Sequence, residues 1–307
     1  MSAVEPVEIH AWAGGQIDSD GHGDVTVGVR RGPLRADLYT DTLELAWEPA
    51  DDRGRSWVKL RGNAFSAGLL LSPWTDGAPD PSRAAWAAYV GGETGSVRYL
   101  PGGAYAGARV GAWAWEVWPQ AGTTQPVPDD AVIGSADLLA GVWQESWEVL
   151  LTVGVDGEPD GLAPRAQLRA DARGEGLVAP RFGVWAGVAD GQGPLTRTRL
   201  GGLTPYVVPL AGAAWGEWWV EDYAAVRMGL VAGPPALRGG VLVDAASFDG
   251  GSGAGFAATA EGRWRRSYAD LKLGWAPWIP RADGVSRVSL YFRLGVDWAP
   301  LRRAVAD

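Results

Sequence analysis

The sequence predicts an all-β chain, and within that class an antiparallel up-and-down transmembrane β-barrel of about 12–16 strands, with 14–16 favoured. Three observations carry this. Apolar and polar residues alternate with period two in segment after segment, as successive side chains on opposite faces of a strand require. Connections between these segments tend to alternate between short and long, as periplasmic turns and outer loops do in membrane barrels. The 307 residues include 18 Trp and 45 Gly. Each buried indole needs a partner for its N–H, so Trp in this number suits the two water–lipid rims of a barrel better than a soluble core.

From the N-terminus, a first strand is expected near Val7–Ala13 and a second over Val25–Val29. Next, Leu34, Ala36 and Leu38 oppose Arg35, Asp37, Tyr39 and Asp41; the phase slips after Thr42, where Leu43, Leu45 and Trp47 take the other parity, and a β-bulge is the expected cause. Val58–Ala64, Ala166–Ala170 and Phe182–Val188 alternate in the same way. Phe256, Ala258, Ala260, Gly262 and Trp264 oppose Ala257, Thr259, Glu261 and Arg263. Ala269, Leu271, Leu273 and Trp275 oppose Tyr268, Asp270, Lys272 and Gly274. The last strand alternates best: Val288, Leu290, Phe292, Leu294, Val296 and Trp298 against Arg287, Ser289, Tyr291, Arg293, Gly295 and Asp297. About 11 alternating residues is the length that crosses a bilayer at a tilt. In all there are about 14 clear segments and two weaker ones, near Ser96–Leu100 and Thr204–Leu210.

Arg31-Gly32-Pro33, Gly233-Pro234-Pro235 and Arg265-Arg266-Ser267 read as tight turns; Gly14–Gly23, Glu48–Arg55, Asp249–Ala254 and Pro277–Val285 read as longer loops. Ser72–Arg83 is long where a short turn is expected. Trp118–Ser135, the longest and Pro-rich, is the candidate loop plug and constriction, with a short helix a further option in Asp129–Leu139. No repeat of 20–50 residues and no polar linker divides the chain, so residues 1–307 are expected to form a single barrel domain.

Composition excludes several classes. Without Cys there are no disulfides, thiolate metal sites or Cys nucleophiles, and the net charge of −9 argues against nucleic-acid binding. No apolar run approaches the roughly 18 residues of a spanning helix. The start, Met1-Ser2-Ala3-Val4-Glu5-Pro6, lacks the basic and apolar regions of a signal peptide. Outer-membrane localisation therefore requires that this is a mature chain behind an added Met.

The face opposite the apolar one is charged and Arg-rich, and in a barrel it lines the lumen. It carries Arg30, Arg35, Asp37, Asp41, Lys59, Arg61 and Arg109 in the first half. In the second half it carries Arg165, Arg169, Arg227, Glu261, Arg263, Lys272, Arg287, Arg293 and Asp297. Mixed charges in a wet lumen set a field that tunes ion selectivity, so the leading expectation is a passive pore or small-solute transporter. Alternatives are an assembly, translocation or structural barrel, and a soluble all-β ligand-binding protein. Expected partners are a lipid or detergent belt and small solutes or ions.

No enzyme and no cofactor are expected. Asp18–Asp24 opens like a calcium loop, but Val29 stands where the bidentate Glu belongs. Gly250–Gly255 leads into another strand where a phosphate loop needs a helix. Ala64-Phe65-Ser66-Ala67-Gly68 lacks the first Gly of a nucleophile elbow. Glu145 and Glu148 fall on opposite strand faces, and with only His10 and His22 no metal cluster or Ser-His-Asp triad forms.

Three further segments carry a family likeness: Leu200-Gly201-Gly202 leading into Pro209-Leu210-Ala211-Gly212 and Glu217, the strand opening Gly253-Ala254-Gly255-Phe256, and the terminal strand Arg287–Trp298. Through them the C-terminal third resembles the barrel of the bacterial surface antigen family, which includes outer-membrane assembly and two-partner secretion translocases. That resemblance implies a sixteen-stranded barrel with soluble domains preceding it. The nearest match to the family's Arg-Gly-aromatic loop motif is Arg238-Gly239-Gly240, without the aromatic.

Overall fold

A computed structural model of the chain describes residues 9–19, 23–38, 43–47, 50–51, 54–61, 64–71, 103–114, 132–144, 146–158, 161–190, 198–203, 208–213, 217–234, 236–264, 267–279 and 288–298. In chain order the strands are β1 (Ile9–Asp18), β2 (Gly23–Arg31), β3 (Leu34–Leu38), β4 (Leu43–Trp47), β5 (Ala50–Asp51), β6 (Gly54–Arg61) and β7 (Ala64–Leu71). Then come β8 (Gly103–Ala114), β9 (Val132–Gln144), β10 (Trp147–Glu158), β11 (Gly161–Arg173) and β12 (Val178–Ala189). After two short strands, β13 (Thr198–Leu200) and β14 (Trp218–Val220), follow β15 (Tyr223–Ala232), β16 (Leu237–Phe248), β17 (Gly251–Trp264), β18 (Ser267–Trp278) and β19 (Val288–Trp298).

Seventeen of these strands make one closed sheet. Because β4 and β5 both lie against β6 as two pieces of one stave, the wall has sixteen staves among the described residues, all paired antiparallel to their sequence neighbours. The circle closes between β1 and β19, where all ten residues of β1 are paired, from Ile9 with Trp298 to Asp18 with Ser289. The chain therefore enters and leaves the wall at the same end, and the sheet has no free edge.

The alternation decides which way each stave faces. On β2, Val25, Val27 and Val29 are exposed while Gly28 is buried; on β18, Leu271, Leu273 and Trp275 are exposed while Gly274 and Ala276 are buried. On β19, Val288, Leu290, Leu294 and Val296 point out, and Ser289, Tyr291 and Gly295 point in. A continuous apolar outer surface of this kind is tolerated in lipid and drives aggregation in water.

Several connections differ from expectation. The phase slip after Thr42 is a hairpin and not a bulge, since Leu34–Leu38 and Leu43–Trp47 pair antiparallel. Val58–Ala64 is likewise a hairpin between β6 and β7. Asp249–Ala254 is mostly strand, with the turn confined to Asp249–Gly250. Val132–Leu139 is strand, not helix, because its alternation pairs it along both β8 and β10. The Arg31-Gly32-Pro33 turn is tight as expected, with Gly32 at φ 56°, a conformation that β-carbon sterics disfavour in other residues. Ser72–Arg83, Ser96–Leu100, Trp118–Ala131 and Ala299–Asp307 lie outside the described residues.

Candidate functional site: the lumen and its inserted segment

A sixteen-stranded wall encloses more space than its own inward side chains fill, so such barrels hold water or an inserted element. Here the connection between β12 and β15 turns inward. Within it β13 pairs with β14, Gly201 donates to the Val208 carbonyl (2.9 Å), and Gly202 and Leu210 exchange backbone hydrogen bonds (3.1 and 3.2 Å). Leu200, Leu203, Leu210, Ala211 and Ala213 are at most 1% exposed. Leu200, Val208, Leu210, Ala213 and Val220 form an apolar cluster with the wall residues Tyr223, Ala225, Ala246 and Phe248, and Trp185, Trp218 and Ile279 pack around it. Among the described residues, this apolar cluster lies inside the barrel, against the staves β15 and β16. Thr204–Leu210, expected as a weak wall strand, belongs to this insertion as far as its described residues go. The lumen element found in the structure is this segment, whereas Trp118–Ala131, part of the expected plug, lies outside the described residues and Val132–Ser135 begins β9.

The wall is shaped to receive it. A β-carbon on Gly255 would overlap the Ala211 carbonyl, and one on Gly274 would come within 2.6 Å of the Gly212 nitrogen. At Gly255 the register between β17 and β18 also shifts, so a bulge marks the place where the inserted turn lands. Polar side chains fix the contact. Asp244, fully buried, accepts from the Ala211 N–H at 2.8 Å and takes both arms of Arg227, at 2.6 and 2.8 Å. Gln16 accepts from the Leu203 N–H (2.8 Å) and donates to the Ala213 carbonyl (3.4 Å), and Gln167 donates to the Thr198 hydroxyl (2.8 Å).

Several of the charges named in the sequence form ion pairs among the described residues. Arg35 forms ion pairs with Asp37 (3.0 Å) and Glu44. Arg165 reaches Asp137 (2.7 Å) and Asp156 (3.3 Å); Gly154 sits between them in register, and a β-carbon there would collide with the Asp137 carboxylate. Arg169 pairs with Asp171, Glu261 with Arg181 (3.4 Å) and Lys272 with Asp270 (2.8 Å). Arg30 donates to the Gly32 carbonyl (3.1 Å). Lys272 also lies over the Tyr291 ring (4.6 Å), and Arg293 over Tyr268 (5.5 Å). Arg263 is exposed near the end of β17. Lys59, Arg61, Arg109 and Asp297 hold register positions in β6, β8 and β19; Arg287 and Asp41 lie outside the described residues.

Aromatic rings complete the wall. Tyr268, Gly295, Trp12 and Gly28 are successive register partners around the barrel, and the two rings occupy the space that β-carbons on the two glycines would need. Trp12, Trp185 and Trp218 thus serve the interior. Trp47 and Trp264, toward the end where β1 begins, and Trp275 and Trp278, toward the other end, are exposed as rim residues are.

Sequence reasoning missed Gln16 and Asp244 as site residues. The signal available was an isolated polar side chain on an inward face together with inward glycines at 253, 255 and 274, which mark a close approach of backbone.

Fold and lumen together define a transmembrane β-barrel of the Gram-negative outer-membrane class, filled on one side by a segment of its own chain. Solved barrels are similar to it, CdiB and BamA among them. CdiB from Acinetobacter baumannii superposes with a TM-score of 0.61 at 11% identity, over 96% of this chain and 60% of that one. BamA from Haemophilus ducreyi lacking POTRA domains 1–3 gives 0.57 at 11% identity, over 95% of this chain and 70% of that one. The chain spans 60% of the CdiB length, and the likeness is one of fold. It agrees with the resemblance to the bacterial surface antigen family drawn from the C-terminal third. No family model and no curated protein matches the sequence.

Proposed function

We propose that residues 1–307 act as one outer-membrane barrel of the translocation or assembly type, closed at rest by the inserted segment between β12 and β15. The observation that carries this reading is the docking of that segment: apolar residues at most 1% exposed, with Asp244 and Gln16 holding its backbone. A passive pore needs a continuous wet lumen, and a buried apolar core inside the barrel favours a closed one. The wall charges, in this reading, act in pairs to stiffen the staves.

Planar-bilayer conductance tests the closed state. The intact protein is expected to be silent or to open briefly, and removal of residues 198–213 should give steady open steps. Steady steps from the intact protein would favour the passive pore. Photo-crosslinking from position 169, whose side chain is part-exposed, to an unfolded outer-membrane or secreted chain tests the translocation or assembly reading; a sealed barrel that captures no such chain would leave a structural role.

A further inference from the structure

We propose that Arg173, Arg181 and Arg238 form a site for the carboxylates of an acidic peptide segment entering the barrel from the end where the chain joins and leaves the wall. This holds whatever the barrel transports. That end carries the short turns, which in outer-membrane barrels face the periplasm. Arg173 closes β11 and shares the inward parity of the buried Ala163; Arg181 on β12 shares that of the buried Ala179. The two arginines are direct register partners. Like charges directly opposite on one face of a sheet oppose folding. Arg238 on β16 is close enough to Arg181 to add to the repulsion. Glu261 is the carboxylate paired with this group among the described residues: it is the register partner of Arg238, reaches Arg181 at 3.4 Å, and is itself 38% exposed. Of the neighbouring acids, Asp171 is paired with Arg169, and Glu175 is exposed in the turn that follows β11.

Backbone carbonyls hold two of the guanidinium groups in place. Arg181 Nη1 donates to the Gly174 carbonyl (3.3 Å), and Arg238 Nη2 donates to the Gly176 carbonyl (3.4 Å). The turn that supplies them is tied down in its own right. The Gly174 N–H donates to the Pro180 carbonyl (2.8 Å), and the Leu177 carbonyl accepts from the Gly233 N–H (2.8 Å). A guanidinium presents a planar fork of donors that matches a carboxylate bidentately. The group spans four neighbouring staves, β11, β12, β15 and β16, about 14 Å at the usual strand spacing. Acids on alternate residues of an extended peptide stand about 7 Å apart, which matches that width better than one small anion does.

Fluorescence anisotropy of a labelled peptide of alternating Glu and Ser, added to the folded full chain in detergent micelles, tests this. The peptide should bind, and a matching peptide of alternating Lys and Ser should not. Arg173→Gln combined with Arg181→Gln should weaken binding at least tenfold. Arg30→Gln, which removes one charge from the same mouth on β2, should change it less than twofold. Equal binding of the two peptides, binding untouched by the double variant, or displacement by inorganic phosphate as readily as by unlabelled peptide would overturn the proposal. A second measurement does not depend on the double variant folding. Arg173→Gln alone relieves the repulsion, so its urea midpoint in detergent should hold or rise while peptide binding falls severalfold. A lowered midpoint, or unchanged binding, would show that Arg173 serves the fold and would sink the site.

Discussion

Gln16 and Tyr291 are paired across the closure of the barrel; Gln16 accepts the Leu203 N–H of the inserted segment, and Tyr291 belongs to the buried apolar cluster that holds Leu203 and Ala211. The first and last staves are thereby joined twice, once by the ladder and once through the lumen. An insertion placed this way makes the barrel's interior part of its perimeter, and the same logic of shared supports runs through the other predictions.

Replacing Asp244 by Ala leaves Arg227 buried beside a missing partner and the Ala211 N–H without its acceptor. Breaking a buried pair from one side costs about 3–5 kcal/mol. Urea unfolding in detergent should show a loss of that size for Asp244→Ala. A double variant, Arg227→Met with Asp244→Leu, should lose less, because no charge is then left alone; an equal or larger loss would refute the pairing argument.

Gly295→Val forces a side chain into the space of the Tyr268 ring, which in turn lies under Arg293. Overpacking of this kind costs about 1–3 kcal/mol. A lowered unfolding midpoint with unchanged barrel spectra is the expected result, and an unchanged midpoint would mean that ring and glycine do not interlock.

Outward and inward faces should respond oppositely to charge. Leu273→Arg places a cation in the middle of β18 on the lipid side, at a cost of about 2–4 kcal/mol near the bilayer midplane. Arg293→Lys, one strand over on the lumen side, keeps its charge and should change little. Folding yield into phosphatidylcholine vesicles compares the two.

Gly255→Leu removes the seat of the inserted turn, since the Ala211 carbonyl occupies the side-chain space. The barrel should still fold, with the bulge absorbing part of the strain, and should gain steady conductance that the parent lacks. A variant that folds and stays sealed would show that the seat is dispensable.

Tryptophan placement is open to a direct optical test. Variants retaining single Trp at 264 or 275 should be quenched by lipids brominated near the interface. A variant retaining Trp12, which is 8% exposed and faces the lumen, should be protected from every lipid quencher. Quenching of Trp12 by lipid would reverse the inside and outside assigned to β1.

Fold class and the facing of the staves were legible in the sequence, because alternation is a local property: once a stretch is a strand, Leu290 and Tyr291 must point opposite ways. Tight turns at Gly32 and Gly233 were legible for the same reason. Hairpins and bulges leave the same local trace, a reversal of parity, so the slip after Thr42 could not be told from a turn until Leu34–Leu38 was seen paired with Leu43–Trp47. Tertiary structure alone decided the rest. Leu200–Ala213 is apolar and glycine-rich, and nothing local distinguishes such a stretch facing lipid from one folded into the lumen. That choice belongs to Gln16, Asp244 and Gly255, which stand up to 197 residues away in the chain and act together only once sixteen staves have closed around them.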